Sequence, residues 1–200
     1  MSGHVGLGDD DYEEGERNGR ESGAALVLHL TITAEDIDRF IVDPQHEAMA
    51  RGWVSCEALG GRLPIEHGVF NLFVNQAADP TNKRMLYQLW FQDGSGHRLT
   101  LSGHKVVRDH PGLDIWKDTT TLYTNIIDGY VTLGDLDGHT AVGAGILRIS
   151  PAAFARQLTT FRVTGSTRSA RLIGLARFAR LFTGSLWDVY ERDILSSSPF

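Results

Sequence analysis

The stretch RMLYQLWFQDGSGHRLTLSGHKVVRDHPGLDIWKDTTTLY, from Arg84 to Tyr123, decides the fold. Two runs of strand-forming residues flank Asp93-Gly94-Ser95-Gly96, and a third run follows Pro111-Gly112. Gly and Asp supply the positive-φ positions that a tight hairpin needs. With the turn at Gly94-Ser95, Tyr87 falls opposite Ser102 and Met85 opposite His104 on one face. Trp90 then falls opposite Leu99 on the other.

Working outward, the same hairpin grammar repeats. Met49 to Ala58 alternates, with Val54, Cys56 and Ala58 on one face and Trp53, Ser55 and Glu57 on the other. Gly60-Gly61 reads as the turn into a return strand, Leu63 to Val74. That strand carries Leu63, Ile65, His67, Val69 and Phe73 on one face, and the turn sets Val54 opposite His67 and Cys56 opposite Ile65. Ala25 to Thr31 is a shorter strand, and Thr33 is placed to cap a short helix that reaches Phe40 before Pro44. Residues 77–83 form a polar loop containing Pro80. Ile115 to Ile127, rich in threonine and including Tyr123, is a further strand. Asp128-Gly129 and Asp137-Gly138 bracket a short piece, Tyr130 to Leu133. The next strand is His139 to Ile149, where Gly143 and Gly145 mark a bulge or a close backbone approach.

At Ser150-Pro151 the period changes from two to that of a helix. Ser150 is a cap and Pro151 suits the first helical position, giving a helix from Pro151 to Leu158. A longer helix runs from Ser166 or Thr167 to about Leu195. Leu172, Leu175, Phe178, Phe182, Leu186, Val189 and Tyr190 fall within an arc of about 120° on its wheel, which predicts docking by that face. Arg168, Arg171, Arg177 and Arg180 do not share a stripe, which weighs against a membrane-surface or nucleic-acid reading, and they read as solvated edges of a docked helix. The predicted architecture is therefore mainly β: an antiparallel curled sheet or closed β-barrel, lipocalin- or calycin-like in shape, with a long C-terminal α-helix packed on it.

Residues 1–22 are Gly-rich and acidic and hold few apolar side chains, so they read as a disordered tail. Residues 23–195 make a single domain, and 196–200 a frayed end. The net charge of −6 argues against a nucleic-acid partner, which needs a basic face. The single cysteine, Cys56, excludes an internal disulfide and suits a reducing compartment. No apolar run is long enough to span a membrane and the first residues lack a secretory h-region, so a cytoplasmic location is expected.

The chemistry is sparse. No Gly-rich phosphate loop, nucleophile elbow or metal-ligand spacing is present, and neither a metal nor a cofactor is expected. The face assignments bring His67, Tyr87, Ser102 and His104 towards the interior, with Tyr123 on the next strand. Together they are the candidate residues for holding the polar end of a ligand. Each taken singly is also a core residue making one hydrogen bond. Cys56, between Val54 and Ala58, reads as a buried inert thiol.

Three runs carry a resemblance: EALGGRLPIEHGVFNLFV (Glu57 to Val74), LTLSGHKVVRDHPGLDIWKDTTTLY (Leu99 to Tyr123), and GILRISPAAFARQLTTFRVTG with LFTGSLWDVY (Gly145 to Tyr190). They resemble an accessory segment of bacterial cholesterol-oxidase-like proteins. There it adjoins a glucose-methanol-choline flavin oxidoreductase and, in some chains, an α/β-hydrolase module. The resemblance implies a non-catalytic module that binds an apolar, lipid- or sterol-like molecule, or docks on such an oxidoreductase or hydrolase. It carries no catalytic residue to this chain. The competing reading is a small barrel enzyme, isomerase- or cyclase-like, using His67 or His104 as acid and base.

Overall fold

The computed structural model describes residues 1–75, 83–107, 120–135, 138–150, 162–164 and 167–181, with positions 152, 153, 156 and 160 between them. Eight antiparallel strands close into a barrel in sequence order: β1 (Ser2–Leu7), β2 (Ala25–Thr33), β3 (Glu47–Cys56), β4 (Gly61–Asn75), β5 (Lys83–Gln92), β6 (Arg98–Val107), β7 (Thr121–Asp128) and β8 (Ala141–Arg148). Closure comes from β1, which pairs with β8 from Ser2↔Arg148 to Leu7↔Gly143 and with β2 at its start. Helix α1 (Tyr12–Ser22) connects β1 to β2, α2 (Ile37–Val42) connects β2 to β3, and α3 spans 168–181.

The interior follows from period-two alternation. Val5, Leu26, Leu28, Val54, Leu89, Phe91, Leu101, Leu122, Ile126 and Leu147 are almost wholly shielded from solvent and form the core. One end is covered by α2 and α3. Phe40 of α2 is buried there, and the Phe178 ring of α3 lies 6.4 Å from it.

The N-terminal segment corrects the expectation of a disordered tail. It forms a barrel strand and a capped helix: Asp11 accepts from the amides of Glu13 and Glu14, and Gly23 closes the helix in the left-handed conformation. Apolar content is the wrong measure here, because the contact is backbone on backbone. Gly15 and Gly19, one turn apart, are buried against the outer wall of β1 and β8. A Cβ on Gly15 would lie 2.1 Å from the Ala144 carbonyl oxygen, and one on Gly19 would lie 2.4 Å from that of Val5. Glu16 adds a bidentate ion pair with Arg148.

Two registers also differ from expectation. Val54 pairs with Leu63 and Cys56 with Gly61, because Glu57–Leu59 coil into a 3-10 turn that Gly60 ends at φ 107°. Ala58 therefore leaves the strand and is exposed. Tyr87 pairs with Gly103, Met85 with Lys105 and Trp90 with Thr100. The turn is wider than a two-residue hairpin: the Asp93 amide donates to the His97 carbonyl, and the Asp93 carboxylate accepts from the Ser95 and His97 amides.

Smaller differences follow the same logic. Asp36, not Thr33, caps α2, accepting from the amides of Asp38 and Arg39. The short piece from Tyr130 runs into a 3-10 turn, Leu133–Asp135. Helix α3 docks through Gly174, Phe178 and Leu181, while Leu172 and Leu175 stay exposed. Other features occur as expected. Gly145 permits a close approach, since a Cβ there would meet the His4 carbonyl oxygen at 2.1 Å. The Ser150 hydroxyl accepts from the Ala153 amide, and Thr167 caps α3 through the Ala170 amide. The loop at 77–83, the Pro111-Gly112 turn, Ile115 to Thr119, most of Pro151 to Leu158 and the helix beyond 181 lie largely or wholly outside the described residues.

Candidate ligand-binding site

Strands β5 and β6 build the polar part of the inner wall. On β6, Leu99, Leu101, Gly103, Lys105 and Val107 are buried, while Ser102, His104 and Val106 are only half-buried. On β5 the matching inner set is Met85, Tyr87, Leu89 and Phe91. A one-residue slip in pairing moves a whole set of side chains to the other face. The observed register therefore separates Tyr87, which faces the interior, from Ser102 and His104, which do not. It brings Lys105 inside instead.

Tyr87 is 7% exposed and packs on Phe70, ring centroids 4.9 Å apart. Burial pushes its phenol pKa up, so it remains a neutral hydroxyl. The Lys105 ammonium lies 5.7 Å from the centre of the Tyr87 ring, a cation–π arrangement. Lys105 is 6% exposed, and burial brings its pKa down to about 8. A third polar group joins this wall from β7. Thr124 pairs with Gly103 on one side and Gly145 on the other, and its buried hydroxyl has no hydrogen-bond partner. The belt Phe70–Tyr87–Gly103–Thr124–Gly145–Val5 thus runs round the barrel strand by strand. Its two glycines lie on either side of Thr124. Beyond Phe70 on β4, Phe73 adopts φ 52° with its side chain buried. Such backbone costs about 1–3 kcal/mol in an aromatic residue, and it falls where the β4–β5 register shifts between Asn71 and Val74.

The remaining predicted site residues lie on the outer surface. His67 is exposed, because a register shift between Ile65 and His67 turns it outward; it stacks on Trp90 at 5.1 Å and 18°. His104 and Tyr123 are a cross-strand pair, stacked at 5.5 Å and 25°. Tyr12 of α1 meets both edge-on, at 5.7 Å from His104 and 5.4 Å from Tyr123. Desolvation, with the Arg84 charge second, takes the His104 pKa down to about 4, so it is a neutral packing residue. Ser102 sits between Gln88 and Asn125 on the same outer face.

Lys105 is the residue that turn-based reasoning missed. The signal was present in the strand itself: Leu99, Leu101, Lys105 and Val107 share a parity that leaves Thr100, Ser102 and His104 outside. Among the described residues no cluster of His, Cys, Asp or Glu could hold a metal ion. Cys56 is buried, and burial raises its thiol pKa, as an inert core thiol requires. Among the described residues no helix is long and apolar enough to cross a membrane. No protein-family model matches this chain, and neither does any curated protein or any solved structure.

Proposed function

We propose that the barrel binds a small apolar molecule bearing an anionic head, with the head against Lys105 and Tyr87 and the body along the aliphatic wall. One observation carries the reading: Lys105, 6% exposed, shares the inner face of β6 with Leu99, Leu101 and Val107. Lysine is among the residues least often buried, and an anionic head brought beside the ammonium would offset part of its desolvation. The Tyr87 and Thr124 hydroxyls supply the few convergent polar contacts that orient a ligand in an apolar site. The enzymatic alternative loses support, because His67 and His104 both project from the outer face. The resemblance to the accessory segment of cholesterol-oxidase-like proteins extends the reading: such a module would serve a neighbouring flavin oxidoreductase or hydrolase, to which recovery of that enzyme by co-purification is the test.

The ligand is tested by titrating the chain with long-chain carboxylates, sterols and neutral alcohols while following tryptophan fluorescence and melting temperature. Carboxylates are expected to raise the melting temperature, since a ligand that binds only the folded state stabilises it. Lys105→Met should abolish that rise and leave the free protein about 2 kcal/mol more stable at neutral pH. The sign follows from linkage. The folded pKa, about 8, lies below the ordinary 10.5. The charged lysine therefore destabilises the fold fully below pH 8, and the effect fades as pH rises to 10.5. No shift with any lipid would remove the reading.

A further inference from the structure

Charge is divided unequally along this chain. The whole sequence carries −6, yet between Ile149 and Asp188 it holds Arg156, Arg162, Arg168, Arg171, Arg177 and Arg180 and no acidic residue. Helix α3 lies in that segment and docks by Gly174, Phe178 and Leu181. At about 100° per residue, the side turned away from the dock carries Leu172, Ala176 and Ala179 with Arg168 and Arg180 among them, and Ile173 and Leu175 lie on its two flanks. Leu172 is 68% exposed, Ile173 55% and Leu175 39%. Single exposed apolar residues need no explanation, but three within one turn of a helix do. Arg168 and Arg171 precede them and Arg180 follows, all exposed. Arg177 is bound to Asp38 of α2, which fixes the helix against the barrel. Beside this face lies a groove of about 430 Å³ lined by Arg162, Val163, Thr164, Arg171, Leu172 and Leu175.

Exposed leucine and isoleucine interspersed with arginine, in a segment without acid, give a polybasic surface that an anionic bilayer attracts. Guanidinium groups pair with lipid phosphate in bidentate geometry. We propose that α3 and the adjoining 162–164 segment dock this protein on an anionic bilayer surface, with Leu172, Ile173 and Leu175 entering the headgroup region and Arg162, Arg168 and Arg171 holding phosphates. This surface is separate from the barrel interior, so the two proposals stand or fall separately.

The test is co-flotation of the full chain with vesicles of phosphatidylcholine alone or mixed with phosphatidylglycerol, at low and high salt. Flotation is expected with the anionic vesicles only, with release at high salt. Leu172→Glu, and separately the pair Arg168→Glu and Arg171→Glu, should each lower partition at least about tenfold. All three positions are exposed, and an unchanged melting curve verifies that the variants fold. Equal flotation with neutral vesicles, no flotation with either, or full flotation of Leu172→Glu would overturn the proposal. So would two other outcomes without vesicle binding. Dimerisation abolished by Leu172→Glu would assign the face to a second copy, and salt-sensitive binding to polyglutamate would assign it to an acidic protein.

Discussion

His104 is held between Tyr12 and Tyr123 on the outer wall, half-buried, with its imidazole kept neutral by desolvation and the Arg84 charge. Its folded pKa of about 4 lies below the ordinary 6.5. As pH falls through 6.5 the unfolded chain takes up a proton that the folded chain does not, so acid favours unfolding until pH 4 is reached. After discounting for partial exposure, the loss is about 2 kcal/mol. His104→Phe keeps a ring in the stack and removes the proton site. Urea unfolding should therefore give nearly equal stabilities for variant and parent at pH 7. Near pH 4.5 the variant should be ahead by about 1–2 kcal/mol; parallel acid limbs for the two proteins would refute the assignment. At this scale the sequence is legible only as residue type. His104 and Lys105 are neighbours, and which of them enters the core depends on the parity that the hairpin imposes. The Asp93 loop sets that parity through three hydrogen bonds to one carboxylate oxygen, from the Ser95 amide, the Ser95 hydroxyl and the His97 amide. Placing the turn by its glycines alone misses a side chain that acts as the turn's scaffold.

Helix α1 shows how an element with hardly any apolar surface is held. Its Gly15 and Gly19 let the helix backbone reach the carbonyls of Ala144 and Val5. Glu16 fixes the roll of the helix through Arg148, while Arg20 of the same helix shares its carboxylate, and the Arg148 hydrogen bond is the main cause of its lowered pKa. Replacing glycine by alanine inside an exposed helix normally gains about 1 kcal/mol. Here the sign should reverse. Gly15→Ala and Gly19→Ala each place a Cβ inside 2.5 Å of strand backbone. Each should therefore lower the urea midpoint, corresponding to a loss of about 2 kcal/mol or more. A gain at either position would mean that α1 does not pack on this wall. The strands were legible because half-buried strands alternate, and β2, β3 and β6 keep their alternation through most of their length. The helix α1 was not, because glycine packed against strand backbone leaves no hydrophobic signature. A similar limit applies to α3: its wheel has one broad apolar arc, and nothing in the periodicity tells which part of it meets the barrel. Gly174 lies in the contact, since a Cβ there would meet the side chains of Val163 at 2.9 Å and of Ile37 in α2 at 3.7 Å.

At the scale of the molecule, the barrel is a ring of hydrogen bonds closed by a single short strand. β1 contributes six pairings to β8 and three to β2, while Val5 is its only wholly buried large side chain. Removing residues 1–24 would therefore delete little hydrophobic area. It would nonetheless leave β2 and β8 as open edges with rows of unpaired amides and carbonyls, and open edges template association. Removing residues 167–200 would delete more apolar surface, including Phe178 and Leu181 of the α3 dock, but would break none of the pairings that close the eight-stranded barrel. An estimate by buried area ranks the second truncation as the more harmful; an estimate by edge closure ranks the first. The second ranking is expected. The chain lacking 1–24 should elute as aggregate in size-exclusion chromatography. The chain lacking 167–200 should remain monomeric, with far-ultraviolet circular dichroism of a β protein and a lowered melting temperature. If the N-terminal truncation instead stays monomeric with cooperative melting, the strands from β2 to β8 hold themselves together and β1 is an addition to the barrel, not its closure.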